Sequence, residues 1–269
     1  MPPLPPPLPP ESRTVGQLVA ETIRLYRENF WPSLALGLAP AGLDILVELL
    51  PKDLQLQAPA GVGVGSVVMT ISFIGATVIA TGAHPGRKSV WNAFVAGLLI
   101  WPPAALFPLL FALSGNIWIA LLGLALPSLS WLAYVGLAVP AAVVEDLDYR
   151  HAIGRGMELG RVDFVHALGG LATLVIAFAL SKGVLFALLQ GQAKIQVLSA
   201  SFVADFVLSP MLFLGAALLY VDQRARLDKL APATQKGEED ADLHHAVDAD
   251  GAGRPDAEVE SRSAARGES

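Results

Sequence analysis

The sequence predicts an all-α fold: a polytopic membrane helix bundle of six transmembrane helices plus one or two interfacial amphipathic helices. Three observations predict it. Of the 269 residues, 54% are hydrophobic and only 16% are charged, against about 25% charged in an average soluble domain. Residues 89–144 form a run of 56 residues without Asp, Glu, Lys, Arg or His. The Lys and Arg residues near the ends of the predicted spans lie almost entirely on one side of the membrane.

The chain begins with a proline-rich segment, residues 1–12, which is predicted to be disordered. Over residues 15–30 apolar side chains then recur at helical spacing, with charged side chains on the opposite face. Thr14 and Gln17 form a capping-box pattern that marks the start of this helix. A second amphipathic helix is predicted at residues 148–161. Each helix either lies in the membrane interface or packs on the cytoplasmic side of the bundle.

Six apolar segments are long enough to cross a hydrocarbon core about 30 Å thick, which takes roughly 20 helical residues. The uncharged run is too long for one crossing, and the turn-forming residues Ser114, Gly115 and Asn116 divide it into two. The predicted spans are residues 30–50, 62–82, 93–113, 117–143, 164–189 and 197–221. They belong to a membrane domain over residues 13–230. A disordered acidic tail over residues 231–269 is predicted to follow, and it carries the whole net charge of −6.

The positions of Lys and Arg predict the orientation of the bundle. Near the span ends, eleven of these residues lie on one side and two on the other. The eleven are Arg13, Arg24, Arg27, Arg87, Lys88, Arg150, Arg155, Arg161, Arg224, Arg226 and Lys229, and the two are Lys52 and Lys194. Cytoplasmic loops carry the excess of these residues. The sequence therefore predicts a multi-pass protein of the cell inner (plasma) membrane with both termini in the cytoplasm. Its composition is typical of a bacterial protein.

Four charged residues interrupt the apolar spans: Asp44, Glu48, Lys182 and Asp205. A charge near the bilayer centre costs roughly 2.5–3.5 kcal/mol, so such residues usually face the bundle interior or a polar partner. The predicted topology places all four at a similar depth, toward the outer leaflet. Two interpretations stay open. One is a polar cavity for an ion, a proton or a lipid headgroup, and the other is an ion pair such as Lys182 with Asp205, beside carboxylates that remain hydrated.

The sequence contains no pattern that specifies a reaction, a cofactor or a metal site. It has no cysteine, and its five histidines lack helical partners at metal-ligand spacing. A Gly-x-Ser-x-Gly elbow does not occur. Residues 1–230 have no basic excess, which argues against nucleic-acid binding. We therefore expect no cofactor, and expect the lipid bilayer and another membrane or envelope protein as partners.

Three segments of the chain occur in a characteristic order. They are residues 14–30, residues 139–145 with 152–160, and residues 219–226. Together they resemble the glycerophosphoryl diester phosphodiesterase membrane-domain family of bacterial membrane proteins, over about residues 12–230. The matched signature positions are Glu145, Arg155, Tyr220, Asp222 and Arg224.

The resemblance implies a fold and a membrane location and does not imply phosphodiesterase activity. Relatives with that activity carry a soluble α/β barrel of about 250 residues, which begins with His-Arg and holds metal-binding carboxylates. This chain has neither the room nor a His-Arg pair. It also departs from the family pattern at Gly156, where a serine is expected, so a role for that hydroxyl is in doubt.

The leading functional hypothesis from sequence is a non-enzymatic membrane module or scaffold, because no catalytic constellation is visible. The first alternative is a transporter or lipid-handling protein that uses the outer-leaflet polar cluster. The second alternative is a hydrolase acting on lipid headgroups. The sequence leaves the oligomeric state open.

Overall fold

The computed structural model describes residues 9–50, 60–112, 116, 119 and 127–251. Within these residues every regular element is helical and no strand occurs. The first eight residues of the proline-rich segment, most of the predicted turn at 114–116, and most of the first half of the predicted span 117–143 lie outside the described residues.

Nine α-helices follow a short 3-10 helix at Pro10–Ser12, within the part of the chain that the structure describes. They are α1 Val15–Glu28, α2 Phe30–Leu49, α3 Gly65–Thr81, α4 Arg87–Ala112, α5 Leu129–Val135, α6 Ala138–Val144, α7 Tyr149–Val162, α8 Phe164–Leu188 and α9 Lys194–Gly251. A π-helical turn, Ala60–Val64, leads into α3.

Five helices in the described ranges are long and apolar enough to cross a membrane. They are Phe30–Leu49, Gly61–Thr81, Arg87–Phe107, Phe164–Leu188 and Lys194–Leu230. Each overlaps a predicted span, so five of the six predicted spans correspond to such helices, although Arg87–Phe107 begins and ends six residues before its predicted bounds.

The remaining predicted span, residues 117–143, differs from the prediction in its described part. Instead of one continuous helix it forms α5 and α6, with a break at Gly136 and Leu137. Pro140 contributes to the break, since proline has no amide hydrogen to donate to the carbonyl four residues earlier, at Gly136. Helical hydrogen bonding resumes with the amide of Ala141, which donates to the Leu137 carbonyl.

The hydrophobic core lies where α3, α4, α6 and α9 meet. Its largest buried side chains include Phe73, Ile100, Val139, Phe213 and Leu214. Small residues allow the helices to approach closely around this core, as is usual for helices packed in a membrane. At the contact of α2 with α9, a Cβ atom on Gly37 would lie only 2.1 Å from the Phe206 carbonyl oxygen.

Helix α1 begins with the predicted capping box, which the structure confirms: the Thr14 side chain and the Gln17 side chain each bond to the other residue's backbone amide. Its apolar face is packed against the bundle. Leu18 and Thr22 are fully buried, and Gly170 of α8 and Gly215 of α9 leave room for them. Along this face α1 therefore contacts other helices of the same chain.

Helix α7 is the second amphipathic helix, and Asp148 caps its start. Two glycines bring it against the preceding helices. A Cβ atom at Gly156 would lie 2.6 Å from the backbone nitrogen of Ala138, and one at Gly160 would lie 2.6 Å from the carbonyl oxygen of Tyr134. This packing leaves no space at position 156 for the serine side chain that the resemblance predicts there.

The chain divides into two compact units, Met1–Arg226 and Leu227–Ser269. Whereas the sequence predicts disorder from residue 231, the second unit is helical as far as Gly251, and residues 252–269 lie outside the described part.

Candidate functional site

Three of the four charged residues predicted inside the spans form one cluster, which we call the triad: Asp44 of α2, Lys182 of α8 and Asp205 of α9. The Lys182 Nζ atom lies 2.9 Å from Asp44 Oδ2 and 2.8 Å from Asp205 Oδ1. The side chains differ in exposure, at 5% for Asp205, 19% for Lys182 and 54% for Asp44. One ammonium group thus joins three helices, and the ion pair Lys182–Asp205 considered from sequence is present.

Glu48, the fourth predicted residue, does not join the triad. It lies one helical turn beyond Asp44, and its Oε1 atom lies 3.4 Å from the Nζ atom of Lys194. Sequence reasoning placed Asp44 and Glu48 on one helix face but missed that they would pair with different lysines. Lys194 stands at the start of α9, which brings it to the end of α2.

A cavity of about 410 Å³ lies against the triad. Apolar side chains from α2, α3, α4, α5, α8 and α9 form most of its wall. The aromatic rings in the wall are those of Phe73, Trp101, Phe178 and Phe213. Among the described lining residues, only the three members of the triad carry a charge. Phe178 connects the two features, since Lys182 Nζ lies 5.7 Å from the centre of its ring.

The serine hydroxyls of the cavity wall are already hydrogen-bonded. They donate to backbone carbonyls: Ser66 to Val62, Ser128 to Ala104 and Ser209 to Asp205. The triad is therefore the polar feature that the cavity presents to a ligand.

A second polar cluster, which we call the arginine network, is centred on Glu145 at the end of α6. The Tyr220 hydroxyl donates to Glu145 Oε1 at 2.7 Å and the Arg155 Nε–H group donates to Oε2 at 3.0 Å. Arg224 Nε lies 3.9 Å from Oε1. The structure thus brings three of the signature positions named by the resemblance, Arg155, Tyr220 and Arg224, onto the carboxylate of a fourth, Glu145.

Arg155 is held from two sides in this network, because its Nη1 atom also donates to Glu158 at 2.7 Å. Partial burial lowers the pKa of Arg155, but the hydrogen bond to Glu158 and the negative charge of Glu145 outweigh that effect, so the pKa is raised above its ordinary value. Arg155 therefore stays charged and keeps α7 joined to the end of α6.

The fifth signature position, Asp222, pairs with a residue that sequence reasoning did not connect to it. Arg13 Nη1 donates to Asp222 Oδ1 at 2.9 Å, and the two side chains are only 8% and 0% exposed. Arg226 extends this part of the network, since it donates to the Arg13 carbonyl at 2.9 Å and to the Asp163 carboxylate. The network therefore joins the start of the chain to α9.

Arg13 entered the sequence analysis only as a positive charge that sets orientation. Its partner lies 209 residues away, and no local pattern relates two residues at that separation. Asp163 was also missed as a member of the network. Its side chain caps α8 by accepting from the His166 amide, which gives it a local role as well.

The two clusters offer charge and hydrogen bonds, and among the described residues no group of three or more His, Cys, Asp or Glu side chains could hold a metal ion. Comparison of the chain with protein-family models, with curated proteins and with solved structures finds no match. The resemblance to the glycerophosphoryl diester phosphodiesterase membrane-domain family therefore stays a prediction.

Proposed function

We propose that this chain is a multi-pass membrane protein that binds a lipid-like amphiphile among its helices, and that handling this ligand is its function. The observation that carries the proposal is the cavity of about 410 Å³ beside the triad. Ligand sites are typically clefts of roughly 300–1,000 Å³ with mostly apolar walls and a few convergent polar groups. A scaffold needs no such space.

The membrane arrangement belongs to the same proposal. Five apolar helices of spanning length and the eleven-to-two distribution of Lys and Arg support six spans with both termini in the cytoplasm of a bacterial cell. The sixth span would comprise α5, α6 and the residues before them. In this orientation the triad lies toward the outer leaflet and the arginine network faces the cytoplasm, with α1 and α7 packed at the inner interface.

The wall of the cavity divides into parts that suit the two ends of an amphiphile. An acyl or alkyl chain would occupy the apolar part, where burial stabilises it by about 0.8 kcal/mol for each methylene. The headgroup would lie at Asp44, the most exposed member of the triad.

The proposal is tested by filling the cavity. In Ala216→Phe the new ring would occupy the cavity from α9, and in Met69→Trp the larger ring would occupy it from α3. Ala179→Phe is the matched control, since Ala179 is exposed on α8 and lies outside the cavity wall. Native mass spectrometry of the purified proteins, after exchange into a fresh neutral detergent, would count the amphiphile molecules that remain bound.

We expect the wild type and Ala179→Phe to retain one bound amphiphile, and the two cavity-filling variants to lose it while keeping a monodisperse, folded profile. Equal retention by all four proteins would show that the lipid binds on the outer surface. A wild-type protein that retains nothing would contradict the proposal and leave the scaffold hypothesis standing.

A further inference from the structure

We infer that the amphiphile bound in the cavity carries a cationic, ammonium-type headgroup, which the carboxylates of the triad recognise. The inference rests on the proposed function, because it names the chemical class of the ligand of that same site. Its basis is a charge imbalance. In the triad one ammonium group, that of Lys182, faces two carboxylates, those of Asp44 and Asp205. With all three groups ionised, one negative charge remains in excess.

No neighbouring group removes this excess within the described part of the chain. Glu48 and Lys194, one turn away, form a pair of their own and together add no charge. The cavity wall contributes no further cation among its described residues. Negative charge held away from water is costly unless a cation is near it. A bound cationic group would neutralise the excess negative charge of the triad.

The geometry indicates where that group would lie. Asp205 is almost fully buried and bonds to Lys182 through both of its oxygens. Asp44 is more than half exposed and bonds to Lys182 through Oδ2. Its carboxylate is therefore the face of the triad that a ligand can reach.

Aromatic rings strengthen the preference for a cation. Phe178 lines the cavity beside the triad, and its ring already lies 5.7 Å from the Lys182 ammonium. The faces of aromatic rings attract cations, and quaternary ammonium groups are commonly bound in this way. An anionic headgroup would instead meet two carboxylates, with the one available cation already shared between them. Like charges placed together oppose binding.

The test uses the full-length protein in a neutral maltoside detergent and three probes. Dodecyltrimethylammonium and dodecyl sulfate share an alkyl chain and differ in charge, and tetramethylammonium is the headgroup without a chain. Isothermal titration gives the affinities. The same titrations of Ala216→Phe, in which the cavity is filled, measure the heat of probe partition into the detergent micelles and serve as the baseline. Asp44→Asn removes the excess charge. Glu48→Gln is the matched control because it makes the same chemical change one turn away, outside the cavity wall.

We expect the cationic amphiphile to bind about tenfold more tightly than the anionic one, and Asp44→Asn to remove most of that difference. Glu48→Gln should change the affinity by less than about twofold, as is usual for exposed charges. Tetramethylammonium should bind far more weakly, because it cannot fill the apolar part of the cavity.

Each contrary result has a separate meaning. If dodecyl sulfate binds as tightly as the cation, or if Asp44→Asn changes nothing while Ala216→Phe still abolishes binding, then the headgroup inference is wrong and the cavity proposal stands. If no probe binds above the Ala216→Phe baseline, both fail. If tetramethylammonium binds as tightly as the amphiphile, the site takes a free ammonium ion and the inference of an amphiphilic ligand is wrong.

Discussion

The triad and the arginine network both consist of ion-paired side chains, but the two clusters differ in charge balance. In the network four arginines face four carboxylates. They are Arg13, Arg155, Arg224 and Arg226 with Glu145, Glu158, Asp163 and Asp222. In the triad one lysine faces two carboxylates at the edge of a cavity. The formal charges of the network therefore cancel, whereas those of the triad leave one negative charge in excess.

The two regions should therefore respond differently to substitution. Breaking a buried ion pair is strongly destabilising, because the charge that remains is buried without an oppositely charged partner. Variants of the network should lower the stability of the protein and leave ligand affinity per folded molecule unchanged. Variants at Asp44 should alter ligand affinity and leave stability nearly unchanged, because that carboxylate is more than half exposed.

The largest effect should come from Arg13→Met, which leaves the buried Asp222 carboxylate without its nearest partner. Breaking a buried pair costs about 3–5 kcal/mol. We expect a loss of this size in the free energy of unfolding, measured by denaturant titration in detergent. The double variant Arg13→Met with Asp222→Leu should recover most of the loss, because no buried charge is then left unpaired.

Arg27→Met is the control for this experiment, since Arg27 is an exposed arginine on α1, the helix that Arg13 directly precedes. It should change the free energy of unfolding by less than about 0.5 kcal/mol. If Arg13→Met proved no more destabilising than Arg27→Met, the conclusion that the buried Arg13–Asp222 pair stabilises the fold would be wrong.

The next largest effect should come from Gly156→Ser, which introduces the residue that the resemblance predicts at this position. The added Cβ would lie 2.6 Å from the backbone nitrogen of Ala138, and overpacking of this kind costs about 1–3 kcal/mol. Gly154→Ser is the matched control, because nothing lies within 4 Å of a Cβ at that position of the same helix. There the better helix propensity of serine should raise stability slightly. A Gly156→Ser protein as stable as wild type would mean that α6 and α7 are packed less closely than described.

The two regions also differ in how far the sequence could predict them. The cost of charge in an apolar span singles out Asp44, Lys182 and Asp205 individually, and the alternation of spans places them at one depth. For the network, the resemblance supplied Glu145 and Tyr220 as positions in a pattern, without the bond between them. Arg13 and its partner are 209 residues apart, so only the packing of α1 against the bundle brings them together.

Helix interruptions and side-chain pairings were the features least accessible from sequence. The break before α6 involves one missing amide hydrogen, at Pro140, within a run whose composition is uniformly apolar. Glu48 pairs with Lys194 and not with the triad because α9 begins beside the end of α2, and helical spacing along α2 contains no information about that approach. The predicted capping box of α1 succeeded because all its atoms belong to one turn of chain.

The smallest effect should come from Tyr220→Phe, which removes one hydrogen bond from the network and retains the buried ring. The Tyr220 hydroxyl donates to Glu145 Oε1 at 2.7 Å, and its loss should lower the free energy of unfolding by about 1.5 kcal/mol, the low end of the range for a bond to a charged group. Arg155 still donates to the other oxygen of that carboxylate, which limits the loss. Tyr149→Phe is the control, since its hydroxyl bonds only to an exposed arginine, Arg150, in the described structure. Binding of dodecyltrimethylammonium should be equal in the two folded variants, and a selective loss of affinity in Tyr220→Phe would show that the network and the triad are coupled and do not act as separate regions.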